Sequence, residues 1–137
     1  MPQGVEERFI DEAQRRLGVR FPESYRRAIA AANGGEVCVA DETWDLHPVR
    51  DTSDARRRRK TCDDVLNETA QAREWRGFPD GAVAIGGNGF GDRLIFLPPE
   101  TADPDASPVT LGPEVCVWWH DTGETKVVAS DFSELAE

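Results

Sequence analysis

The stretch AIGGNGFGDRLIFL, residues 84–97, constrains the chain more than any other. Four glycines fall within six positions, Gly86, Gly87, Gly89 and Gly91, ahead of Asp92 and an apolar run. Glycine at this density has two physical uses. It can bare backbone N–H groups that cradle phosphate at the start of a helix, or it can supply the positive φ of a tight turn. The dinucleotide form needs G-x-G-x-x-G after a strand and before a helix. No register here supplies it, because the sixth position counted from Gly87 is Asp92. No G-K-[ST] comes after it, which excludes a P-loop. The next residues, RLIFL, have a strand pattern and not a helical one. The stretch therefore reads as strand–turn–strand, with Asn88 and the glycines in the turn and Asp92 placed to accept turn N–H groups.

The flanking chain gives the rest of the architecture. In VEERFIDEAQRRL (5–17), Val5, Phe9, Ile10, Ala13 and Leu17 share a helical face, and Gly18 is the stop. A second helix starts at Pro22, carries Tyr25, Ile29 and Ala32 at helical spacing, and ends at Asn33-Gly34-Gly35. EVCVA (36–40) and TWDLHPV (43–49) read as strands. Residues 50–60, RDTSDARRRRK, have almost no apolar content and read as a solvated loop. CDDVLNETAQAREW (62–75) has helical spacing, with Thr61 as the expected N-cap. VCVWWH (115–120) and TKVVA (125–129) flank the turn DTGE, and SDFSELAE closes the chain with a short helix capped by Ser130. Residues 98–114 form a Pro- and Asp-rich loop with a short extended piece at 109–111. Strands joined by short turns pair antiparallel. The expected fold is one α+β domain over residues 1–137, an antiparallel or mixed sheet with helices packed mainly on one face.

Charge narrows the partners. The net charge is −10, and residues 77–137 hold 11 acidic against 2 basic side chains. Residues 50–60 run the other way, with six basic and two acidic side chains. A surface so acidic repels phosphate, so nucleic acid is a poor partner and a basic protein a good one. No apolar run reaches the roughly 20 residues of a membrane span, and the charged N-terminus lacks a signal peptide's apolar centre, so the expected location is the cytoplasm. The three cysteines, Cys38, Cys62 and Cys116, are odd in number and form no C-x-x-C pair. They are expected to be reduced core thiols, with no disulfide or zinc framework.

Candidate chemistry is sparse. His120-Asp121 invites a catalytic reading, but no G-x-S-x-G elbow exists, and His120 fits a structural role at a strand end. A metal site could draw on His47, Asp92, His120 and Asp121, yet no ligand pair at i, i+4 and no E-x-x-H occurs. The expectation is no catalysis, no cofactor and no metal. The better candidates are for binding. Trp118 and Trp119 are adjacent and so face opposite sides of a strand, one into the core and one outward or under a helix. Trp44 lies among Asp41, Glu42 and Asp45, an aromatic anchor with an acidic rim that suits a basic partner. The expected partner-binding set is Asp41, Glu42, Trp44, Asp45, Asp92, Trp119 and Asp121.

Four segments in order also carry a family resemblance: LGVRFPESYRRAIAAANGG, AVAIGGNGFGDRLIFL, VCVWWHDTGETKVVA and SDFSELAE. They resemble, respectively, the helix–LP–helix–NGG signature, the strand–glycine turn–Asp–strand element, the Trp/His hairpin and the closing helix of the SUKH superfamily. That group includes the yeast cell-wall-assembly regulator and many bacterial immunity proteins. Phe21 stands where the family usually has Leu, and residues 38–76 match least. The resemblance implies a single α+β domain that acts by binding. The expected function is intracellular, non-catalytic neutralisation of a cognate toxin domain, often a nuclease, from a polymorphic toxin system. The alternative is a regulatory protein-interaction module without a toxin.

Overall fold

The computed structural model describes residues 3–39, 41–103, 105 and 107–135. Helix α1 (Glu7–Leu17) turns Ile10 and Ala13 inward and stops at Gly18, whose φ of 71° lets its N–H reach back to the last-turn carbonyls. A two-residue strand, β1 (Val19–Arg20), leads to Pro22 and helix α2 (Glu23–Ala31), which buries Tyr25 and Ile29. Asn33 ends this unit, as its position before two glycines predicts. Its amide also accepts from the Val49 N–H at 2.7 Å and donates to the Val49 carbonyl at 2.8 Å.

Strands β2 (Gly35–Val39) and β3 (Glu42–Leu46) form the first hairpin. After β3 come helix α3 (Ala55–Lys60) and helix α4 (Val65–Arg73). Strands β4 (Val83–Gly87) and β5 (Arg93–Phe96) form the second hairpin, around the glycine turn. Strand β6 (Val109–Thr110) pairs in parallel with β1 as a separate two-stranded piece. Strands β7 (Val115–Trp118) and β8 (Thr125–Ala129) form the third hairpin, and a 3-10 turn at Phe132–Glu134 comes last. The six main strands lie in the order β2-β3-β4-β5-β7-β8, every neighbouring pair antiparallel. Register shifts in β4 and β7 bend the sheet.

The α+β expectation holds, with the helices against one face. That face carries the main core: Val37, Trp44, Ile85, Leu94, Phe96 and Val117 from the sheet meet Ile10, Tyr25, Ile29 and Val65 from the helices. The other face holds a smaller cluster of Ala82, Ile95, Cys116 and Trp118, covered by Phe78 and the segment after α4. Helix α4 stands beside β4 where β3 no longer pairs with it. There the Thr69 hydroxyl accepts from the Ala84 N–H at 3.0 Å and closes a sheet edge that would otherwise be buried unpaired.

The structure departs from the local sequence pattern in four places. Residues 55–60 are helical and not a loop. With no residue buried, α3 is held by Asp54, whose carboxylate accepts from the Arg57 N–H at 2.7 Å. Helix α4 is capped by Asp64 and not Thr61, because Thr61 is used to accept from the Asp51 N–H at 2.9 Å. The closing turn is capped by Asp131. Ser130 instead donates its N–H and hydroxyl to Glu134. Of the cysteines, Cys116 is buried but Cys38 and Cys62 are exposed, because Cys38 falls on the outward side of β2.

Tyr25 sets up a test of this core. Its ring meets Phe21, Phe96 and Phe132 edge-to-face at 5.2, 5.1 and 5.1 Å, and burial pushes the phenol well above its ordinary range. The hydroxyl is buried with no hydrogen-bond partner among the described residues. A buried hydroxyl without a partner costs stability. Tyr25→Phe is therefore expected to raise unfolding stability by about 1 kcal/mol in urea titration. A loss of that size would mean the hydroxyl does find a partner in solution.

Candidate functional site

The sheet order brings three turns together. β2, β4 and β7 run in one direction and β3, β5 and β8 return, so the turn between β2 and β3 and the turns at 88–92 and 119–124 all lie at one end of the sheet. Asp41 sits in the first with a φ of 66°, a left-handed conformation that Asp tolerates better than most residues. The first hairpin also projects, since β3 pairs with β4 only at Asp45 and Leu46.

A line of polar contacts ties the three turns. Asn88 donates to Glu42 at 2.8 Å and to Asp92 at 3.0 Å. The other oxygen of Asp92 meets Nδ1 of His120 at 2.8 Å and accepts from the His120 N–H at 3.2 Å. The His120 ring then packs edge-to-face against Trp75 at 5.3 Å. Burial alone would push the Asp92 carboxyl up. The bonds from His120 and Asn88 outweigh it and hold Asp92 below the ordinary carboxylate range.

The glycines make this arrangement possible. A Cβ on Gly91 would lie 2.9 Å from Nδ1 of His120, in the space the ring needs to reach Asp92, and its φ of 100° favours glycine in any case. Gly87 pairs with Arg93, and a Cβ there would meet the Arg93 guanidinium at an ordinary contact distance of 3.6 Å. Arg93 forms an ion pair with Glu68 of α4 at 3.0 Å, with both side chains 14% exposed. His47, near Gly87 and Arg93, is half-buried, and burial together with the Arg93 charge pushes its pKa down to about 4.

Among the described residues no hydroxyl or thiol hydrogen-bonds to His120, and no group of three or more His, Cys, Asp and Glu is placed to hold a metal ion. Asp92 and His120 act as a clamp between two turns.

The expected binding residues divide. Asp41, Glu42, Asp45 and Asp121 are exposed on or beside the turns. Asp92 is partly buried inside the clamp, and Trp119 is half-buried against the main core. Trp44 is 2% exposed and cannot anchor a partner. The acid around it is simply the outward side of a strand: Trp44 points into the core while Thr43 and Asp45 point out. Of the tryptophan pair, Trp118 is fully buried. The exposed aromatics are two that sequence reasoning missed. Phe90, at the tip of the glycine turn, is 78% exposed, and Trp75, just past α4, is 47% exposed. Phe90 had a signal, since an aromatic inside a glycine turn has no strand position from which to enter a core.

Glu36 and Asp45 stand opposite one another on the outer side of the first hairpin, both exposed. Directly opposed like charges disfavour pairing, and they add to the acidity beside the turns. Among the described residues no helix is long and apolar enough to cross a membrane.

No curated protein and no solved structure matches the chain. A family model does match, over residues 4–137, nearly the whole length that supplies the sheet, the helices and the three-turn end. The chain belongs to the SMI1 / KNR4 family (SUKH-1).

Proposed function

We propose that the protein is an intracellular immunity protein, resident in the cytoplasm. It binds a cognate toxin domain of a bacterial polymorphic toxin system and neutralises it without catalysis. The observation that carries this reading is the three-turn end. Two exposed aromatics, Phe90 and Trp75, stand there among Asp41, Glu42 and Asp121, on a chain of net charge −10. Desolvated aromatic anchors supply most binding energy at interfaces, while surrounding charge speeds association and selects the partner. The surface fits a basic protein, such as a nuclease whose substrate-binding face is positive, and carboxylates would occupy the place of phosphates.

The test begins with a pull-down of tagged protein from its source cells. The expected result is a stoichiometric basic partner that is toxic when expressed alone and harmless when co-expressed with this chain. The paired substitution Phe90→Ala/Trp75→Ala should then weaken the complex by about 100-fold, and Asp41→Lys/Glu42→Lys should slow association and reduce its salt dependence. Wild-type affinity in both variants would remove this end as the interface. A non-toxic housekeeping partner would favour the regulatory module instead.

A further inference from the structure

The acidic end has a counterpart. Beyond β3, at the end of the sheet away from the three turns, α1 and α3 face one another across a cleft of about 630 Å³. Arg8 and Arg16 of α1 line it, with Arg50 and with Arg58 of α3. Among the described residues Glu12 is the one carboxylate in that lining, and it already accepts from Arg15 and Arg16. The floor is apolar, with Phe9 and Leu66. We propose that this cleft is a binding site for a small ligand carrying two or more phosphate groups.

Several observations converge on that class. The volume falls among those of small-molecule sites, roughly 300–1,000 Å³. Guanidinium groups present forked donors matched to phosphate oxygens, and here they come from both walls. Like charges gathered around one small space repel each other, and an anion seated between them turns that repulsion into attraction. Such a cluster is unexpected on a chain of net charge −10 unless something compensates it. The protein's own carboxylates do so only in part. Arg8 has Glu6 at 3.2 Å, an exposed pair open to water. Within α3, Arg57 is the arginine with carboxylate neighbours among the described residues, Asp51 at 3.8 Å and Asp54 at 3.9 Å. Asp64, near Arg16 and Arg50, is 2% exposed and is already accepting from the Asn67 N–H. Helix α3 buries no side chain of its own, so a ligand held by Arg58 would also steady it. A ring attached to the phosphates would meet Leu66 and the Phe9 ring, over which the Arg8 guanidinium lies at 4.5 Å. This site is separate from the three-turn end and stands or falls without the toxin reading.

The test is calorimetric titration of the full chain with ATP and, separately, with inorganic tripolyphosphate, at low salt. One-site saturable binding is expected for at least one probe. Arg50→Ala/Arg58→Ala should weaken it by about tenfold or more. Arg56→Ala/Arg59→Ala, which removes the same charge from outside the cleft lining, should change it by no more than about twofold. All four arginines are exposed, so neither variant threatens folding. Tighter binding of ATP would assign the apolar floor to the nucleoside, and equal binding would assign recognition to phosphate alone. Both support the site. No saturable binding, equal weakening in the two double variants, or binding of a single-stranded RNA oligomer in the absence of either small probe would overturn it.

Discussion

Trp118→Ala is expected to remove about 4 kcal/mol of unfolding stability. Trp118 is fully buried on the sheet face that no helix covers. Phe78 meets its ring edge-to-face at 5.1 Å, and its indole N–H donates to the Gly77 carbonyl at 3.1 Å. Truncation opens a cavity and also strands that carbonyl, so the transfer and hydrogen-bond losses add. Against a total of roughly 5–15 kcal/mol for a domain, the variant would sit near the edge of folding. Urea titration checks this, with Trp118→Phe as the companion: it keeps most of the ring and loses the N–H, and should cost much less. A loss under about 2 kcal/mol in the alanine variant would mean that the 75–82 segment collapses into the space. The consequence reaches the candidate interface, because that same segment carries Trp75 to His120.

The second large effect is on acidification. His47 is held neutral by burial and by the Arg93 charge, with its pKa pushed down to about 4. In the unfolded chain it titrates near the ordinary value of about 6.5. Its folded value is the lower one, so its contribution is complete above pH about 6.5 and is lost as pH falls toward 4. The linkage amounts to roughly 2.5 kcal/mol by pH 4.5. Asp92, whose folded value is also lowered, acts in a different window, below the ordinary carboxylate pKa of about 3.9. Asp64 is raised by burial and works in the opposite sense. The window between pH 4.5 and 6.5 therefore belongs chiefly to His47. His47→Gln should flatten the stability profile there while leaving the fall at lower pH in place. An unchanged slope in that variant would show that His47 reaches water in the folded state.

Much of this molecule was legible from local pattern. The glycine turn read correctly as strand–turn–strand because no phosphate-loop register exists and RLIFL has no helical period. Gly18 and Asn33 marked helix ends for reasons of backbone conformation that act within a few residues. Features that depend on distant groups were not legible. Helix α3 has no apolar stripe and exists through Asp54 and the contacts of Arg57, which no periodicity reports. Thr61 is a good cap in isolation, but Asp51 claims it first. At the candidate site the sequence pointed to carboxylates that are exposed, but not to the aromatics that are exposed beside them. The acidic rim around Trp44 dissolves once the alternation of side chains along β3 is applied to it. Trp75 lies past a helix end, where sequence does not say which way a ring turns, and it stays 47% exposed while packing edge-to-face on His120.

The placement of all three hairpin turns at one end has a bearing on how such a protein can change over time. The tips of the turns lie outside the two buried clusters, so residues can be exchanged or inserted there without reshaping the core. Lengthening a loop is cheap, about 0.6 kcal/mol for each doubling. The Asp92–His120 clamp keeps two of the turns in a fixed relation while their tips remain free to vary. A scaffold of this kind can change the surface it presents by rewriting its tips alone, with the sheet left unaltered.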